Sequence, residues 1–148
     1  MRSHRAETFT RVIDAVFACN GGFLAAGDAL TGPVGLTAAQ WQVLDFLEDG
    51  PATAAEVARR RGLRRQSVQE TANRLLRNGM LDRRPNPADA RAPLLLLTRR
   101  AKEALRALGE AQVEWAEDVA AEVSQEDLET TLRTLRRLRE VLAQQRLP

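Results

Sequence analysis

The stretch TAAEVARRRGLRRQSVQETANRLLRN, residues 53–78, decides the fold. Thr53 followed by Glu56 has the form of a capping box, in which each side chain satisfies a backbone N–H at a helix start. The helix it opens runs through Val57 and Ala58 to Arg61, and Gly62 suits the left-handed residue that closes a helix. After Gly62-Leu63-Arg64 a second helix is predicted from about Arg65 to Asn78, ended by Gly79. Two helices joined by a tight, glycine-containing turn make a helix-turn-helix.

The second of these helices divides cleanly by face. Val68, Ala72, Leu75 and Leu76 point inward, while Gln66, Gln69, Glu70, Asn73 and Arg77 lie opposite. Gln and Asn can hold adenine through two hydrogen bonds in the major groove, and Glu can accept from the cytosine amino group. Every surface helix has a polar face, so this pattern alone is weak. Arg64 and Arg65 add a broken local rule: they head the helix where the macrodipole disfavours cations and where Ser, Thr or Asp would cap. Such departures point towards function, here a grip on phosphates or base edges. The structural alternative is an ion pair to Glu56 or Glu70.

Outward from this core, Thr37 and Gln40 form another capping box, opening a short helix through Trp41, Leu44 and Leu47 that stops at Asp49-Gly50-Pro51. Before it, apolar residues from Phe9 to Leu24 have helical spacing over about Arg5–Leu30, interrupted by Gly21-Gly22, which predict a kink or a close approach of another backbone. Downstream, Met80–Arg84 and Leu94–Thr98 read as two strands flanking the polar loop Pro85–Pro93, a wing. At its tip Asp89-Ala90-Arg91 sits between prolines, a short basic loop suited to a narrow minor groove, or simply a solvated Asp89–Arg91 pair. From Arg99 the chain is helical, with a restart at Ser124 and an apolar stripe at Leu128, Leu132, Leu135, Leu138 and Leu142.

The net charge of +2 conceals an asymmetry. Arg59–Arg100 holds twelve arginines against three acids, a local excess of nine, while the rest of the chain carries an acidic excess of seven. A basic middle between acidic flanks suits a polyanion, or a solvated arginine-rich face; charge alone leaves both open.

These blocks resemble the MarR (multiple antibiotic resistance regulator) family. The likeness is carried by Leu36-Thr-Ala-Ala-Gln-Trp-Gln-Val-Leu44, by Thr53-Ala-Ala-Glu-Val-Ala58, and by Leu75 with Gly79-Met-Leu-Asp-Arg-Arg84. Most specific is the loop Asn86-Pro-Ala-Asp-Ala-Arg91 followed by Leu97-Thr98. The blocks cover about Leu36–Ala101; the terminal helices agree in pattern only.

The resemblance implies a mainly α fold with a small β-hairpin wing. In it, a winged helix-turn-helix core (about residues 36–101) is flanked by dimerisation helices (about 5–30 and 102–146) in one domain. It implies a homodimeric, sequence-specific regulator of double-stranded DNA: a repressor on an inverted-repeat operator, released by a small aromatic or other organic effector bound near the junction with the terminal helices. The expected DNA-contacting set is Arg64, Arg65, Gln66, Ser67, Gln69, Glu70, Asn73, Arg74, Arg77 and Arg91, with Asp89 shaping the wing. Glu70, Arg64 and Ala101 depart from the residues common in the family at those positions. The competing reading is a winged-helix protein-interaction module without specific DNA binding.

Other classes find little support. One His, one Cys and no glycine-rich phosphate loop leave no visible nucleophile–base pair, metal site or cofactor motif. The start, Met1–Asp14, has no signal-like apolar region, and no apolar stretch is expected to approach the ~20 residues that span a bilayer. A single cysteine, Cys19, fits a reducing cytoplasm. One branch of the resembled family senses organic hydroperoxides through a first-helix cysteine hydrogen-bonded to tyrosines. This chain has no tyrosine, so a buried, inert Cys19 is expected. Trp41 and Trp115 are expected as core or interface residues.

Overall fold

The computed structural model describes residues 2–145; Met1 and residues 146–148, including the last residue of the expected C-terminal dimerisation segment, lie outside the described part. The elements are α1 (His4–Thr31), α2 (Ala38–Phe46), α3 (Ala54–Arg61), α4 (Arg65–Arg77), β1 (Leu81–Arg84), β2 (Leu94–Leu97), α5 (Arg99–Ala120) and α6 (Gln125–Gln144), with 3₁₀ turns at Gly32–Val34 and Leu47–Asp49. They form two compact units that divide within α5, after Glu110.

In the first unit both predicted capping boxes form, at Thr37/Gln40 and at Thr53/Glu56. Gly62 closes α3 with φ 66°, a conformation that costs other residues a Cβ clash. The core gathers Val43 and Leu44 from α2, Val57 and Ala58 from α3, and Val68, Ala72 and Leu75 from α4, with Leu81, Leu95 and Leu105 around them. The strands pair antiparallel from Leu81–Leu97 to Arg84–Leu94. Leu95 also exchanges backbone hydrogen bonds with Ala52 (2.8 and 3.2 Å), a third, one-residue strand that residues 50–53 did not announce.

Helix α1 joins this core through its last turns. The expected break at Gly21-Gly22 is absent: α1 runs unbroken for 28 residues, and nothing lies within 4 Å of a Cβ built at either glycine. Two glycines cost about 2 kcal/mol of propensity, less than two new helix ends with their unpaired N–H and C=O groups. The close approach occurs instead at Gly27, where a Cβ would stand 2.7 Å from that of Ala38. Around it the Asp28 carboxylate accepts from Ala38 N (2.7 Å), at the positive end of α2. The buried Thr31 Oγ1 lies 2.8 Å from the Gly27 carbonyl and 2.9 Å from that of Leu36.

Two further expectations about α1 are corrected. The segment His4–Val34 contains a window of mean hydropathy 1.2, long and apolar enough by length and composition to cross a membrane, and only 6% of that window is buried. Its alanines and glycines bridge the aromatic positions into one apolar run. Cys19 is exposed rather than buried, because α1 packs on α2 only beyond it, near Gly27 and Thr31. Phe17 and Phe23 are likewise exposed, at 72% and 59%.

In the second unit Ser124 caps α6, accepting from Asp127 N at 3.1 Å, as its position predicted. Leu128, Leu132, Leu135 and Leu142 are exposed and Leu138 is half-buried. Trp115, on α5, is half-buried.

The Gly27–Ala38 contact yields a stability test. Gly27→Ala should destabilise the protein by about 1–3 kcal/mol through overpacking, and adding Ala38→Gly should recover part of the loss. Chemical denaturation of the two single variants and the double variant measures this; purely additive effects would deny the contact.

Candidate nucleic-acid interface

Burial of Val68, Ala72 and Leu75 turns the opposite face of α4 outward. Gln66, Ser67, Gln69, Glu70, Arg74 and Arg77 are exposed and Asn73 is half-buried. Two i,i+4 hydrogen bonds order this face: Gln66 Nε2 donates to Glu70 Oε1 at 3.4 Å, and Gln69 Nε2 to Asn73 Oδ1 at 3.1 Å.

At the head of α4, Arg64 is the N-cap residue, with extended backbone and no side-chain cap hydrogen bond. Among the described residues neither Arg64 nor Arg65 has an ion-pair partner. Of the two acids considered as partners, Glu56 accepts from Thr53 N (2.9 Å), and Glu70 lies a turn further along α4, where it accepts only a long hydrogen bond from Gln66. The helix thus presents arginines at the end where its dipole is already positive.

The wing is built by its own polar side chains. Asn86 Nδ2 donates to the Ala92 carbonyl at 3.0 Å and its Oδ1 accepts from Ala88 N at 3.1 Å. Asp89 Oδ1 accepts from Arg91 N (3.0 Å) in an Asx turn. The Asp89–Arg91 ion pair is long, 3.8 Å, and the Arg91 side chain is 96% exposed, so the pair barely restrains it.

Between wing and helix lies an open cleft. Arg65, Gln69 and Asn73 line it from α4, Arg83 and Arg91 from the hairpin, and Thr53–Ala55 from the start of α3. Four of the predicted residues therefore meet in one place, while Gln66, Ser67, Glu70, Arg74 and Arg77 continue along α4 outside it. Arg83 was missed. Strand alternation could have found it: Leu81 is buried, and residues two apart in a strand share a face.

The far end of α4 is tied to α5. Arg100 donates to the Asn78 carbonyl (2.8 Å), and Thr98 Oγ1 donates to the Gly79 carbonyl (2.8 Å) while accepting from Ala101 N (3.2 Å). Thr98 thus caps α5 and anchors α4 at once.

This arrangement, a helix-turn-helix whose second helix shares a basic cleft with a hairpin wing, has close counterparts. A MarR family model matches residues 34–92. An uncharacterized protein of Mycobacterium tuberculosis is 32% identical over 133 residues, covering 90% of this chain and 93% of its own. The chain belongs to the MarR family. Among solved structures it is similar to mutant Escherichia coli MarR in complex with operator DNA (TM-score 0.73, 18% identity, 92% of this chain and 99% of that one). It is also similar to Staphylococcus aureus MarR in complex with salicylate and kanamycin (TM-score 0.77, 17% identity, 95% of each chain). As a MarR-family protein it has the winged-helix fold of that family's transcription regulators.

The uncapped start of α4 in this MarR-family chain makes a measurable prediction. Arg64→Ser supplies a cap and removes a cation from the dipole's positive end, so it should stabilise the protein by about 1 kcal/mol. Calorimetry should show Tm higher by roughly 2–4 °C. An unchanged or lower Tm would mean that Arg64 contributes to the fold.

Proposed function

We propose that the protein is a homodimeric repressor that binds an inverted-repeat operator in double-stranded DNA and is released by a small organic effector. The observation that carries this reading is the cleft in which Arg65, Gln69 and Asn73 face Arg83 and Arg91. Amides on a helix that fits the major groove, next to an unrestrained arginine on a wing, combine base reading with phosphate or minor-groove contact. In this reading Arg64, Arg65, Arg74, Arg77 and Arg91 engage the backbone or groove edges, Gln66, Ser67, Gln69, Glu70 and Asn73 face the bases, and Asp89 shapes the wing. Residues 36–101 form the DNA-reading part of a single domain, with the flanking helices given to dimerisation. The protein acts in the cytoplasm, where it meets chromosomal DNA.

Homodimerisation explains the apolar surfaces of the single chain. Phe9, Val16, Phe17 and Phe23 on α1 are exposed, as are Leu128, Leu132, Leu135 and Leu142 on α6. A second copy would cover both, and would account for the apolar run in α1 without a membrane. Two-fold symmetry then calls for half-sites about one helical turn, roughly 10 bp, apart. Light scattering at micromolar concentration should give the mass of a dimer; a monomer there would remove the basis for a symmetric operator.

For the effector, a crevice in the first unit is lined by Phe23, Leu24 and Trp41 together with Asn20, Gln42 and Arg61. Flat apolar walls with a few polar groups suit a small aromatic or other organic molecule. Arg61 is held by Asp45 at 2.5 Å and lies over the Phe46 ring at 5.8 Å.

Salt titration of binding to a duplex selected from random sequence tests the reading. Arg91→Ala should lower the log–log salt slope by about 0.9 per protomer, roughly 2 per dimer. Asn73→Ala should cost about 1–3 kcal/mol on the selected site and little on non-specific DNA. Arg91→Ala with unchanged affinity and slope would show that the wing stays off the DNA, and a wild-type protein that retains no duplex would favour the protein-interaction reading.

A further inference from the structure

We infer that Glu70 is a specificity-determining residue that works mainly against the wrong DNA, an inference that rests on the DNA-reading role of α4 proposed above. Glu70 is the single acid in α4, and it lies on the outward face midway between Gln66 and Arg74. Among the described residues it has no ion-pair partner, although Arg74 follows at i+4. Its one polar contact is the long hydrogen bond from neutral Gln66 at 3.4 Å, which orients the carboxylate and leaves the second oxygen open. The other two acids of the basic segment stand apart from α4: Asp82 lies on β1 and Asp89 is consumed by the wing turn.

A free carboxylate on a surface that docks against phosphates is repelled and loses hydration as the surfaces close. Only a hydrogen-bond donor offsets this. In the major groove the donors are the amino groups of cytosine and adenine, whereas guanine N7 and O6 and thymine O4 are acceptors. Gln66, Gln69 and Asn73 are amides that suit adenine, and the carboxylate suits cytosine. Where cytosine meets it, Glu70 is paired; where an acceptor meets it, two acceptors face each other. On non-specific duplex, without a matched donor, the charge simply repels. Glu70 therefore widens the gap between right and wrong sites by weakening the wrong ones.

The test uses the full chain as wild type, Glu70→Gln and Glu70→Ala, a site selected by wild type from a random duplex pool, and a scrambled duplex of the same length. Wild-type sites should carry cytosine at one fixed position in each half-site. Replacing it with guanine or thymine should weaken wild type at least about fivefold, the ratio that ~1 kcal/mol gives. Glu70→Ala should level that difference. Glu70→Gln, which keeps an acceptor but loses the charge, should bind scrambled duplex several-fold tighter, with a salt slope steeper by up to about 0.9 per protomer. Both variants should melt like wild type, since the side chain is exposed. If Glu70→Ala keeps the same preference at every position, or Glu70→Gln binds scrambled duplex no better, the role of Glu70 is wrong while the DNA-binding reading stands. A wild-type protein that selects no site overturns both.

Discussion

Everything in the candidate interface depends on one constraint: α4 has a single apolar stripe, and the core takes it. Val68, Ala72 and Leu75 are fully buried against residues of α2 and α3. Burying a Val or Leu side chain stabilises by about 1.5–3 kcal/mol, so exposing this stripe would cost several kcal/mol. A helix turns about 100° per residue, so a slip of one position would expose the stripe and bury Gln or Arg. The rotation of α4 is therefore fixed from inside, and the outward order of Gln66, Gln69, Glu70 and Asn73 follows from it. The helix-turn-helix geometry in turn depends on two local devices, the Thr53–Glu56 box that starts α3 and the left-handed Gly62 that ends it.

That dependence explains why so much was legible in the sequence. Caps, glycine turns and helical periodicity are short-range signals, and each has its mechanism within four residues of chain. The two boxes, the face division of α4 and the Ser124 restart all formed where the residue types required them. The misses share a different origin. The Ala52–Leu95 bridge, the Asp28 cap on α2 and the Gly27–Ala38 approach join residues distant along the chain, and no local pattern encodes them. At Gly21-Gly22 the propensity cost of about 2 kcal/mol is smaller than the cost of opening two helix ends, so α1 continues through the pair. Burial of Cys19 is expected from the absence of the tyrosine partners that a reactive first-helix cysteine would need, whereas its exposure depends on which part of a long helix meets the core.

The candidate site was legible in residue type more than in arrangement. Arg65, Gln69, Asn73 and Arg91 converge only because the hairpin folds back beside α4, and that proximity also brings in Arg83. The internal hydrogen bonds of the wing make this convergence durable. Asn86 and Asp89 spend their side chains on the backbone of the loop, so its shape does not rely on contact with the core. Arg91 is left as the free arm of a rigid tip.

The energetics of α4 set its two ends in opposition. Its C-terminal end is tied down, with Asn78 and Gly79 carbonyls satisfied by Arg100 and Thr98 from the start of α5. Its N-terminal end has no side-chain cap, and two arginines stand where the helix dipole opposes them. The missing cap costs about 1 kcal/mol and each arginine roughly 0.3–1 kcal/mol. The buried stripe covers that cost without help from the ends. Because the N-terminal arginines are not needed to hold the helix, and no acid neutralises them among the described residues, their charge remains free for an anion that approaches from outside. The fold thus stabilises α4 where it meets the protein and leaves it electrostatically unsatisfied where it faces solvent.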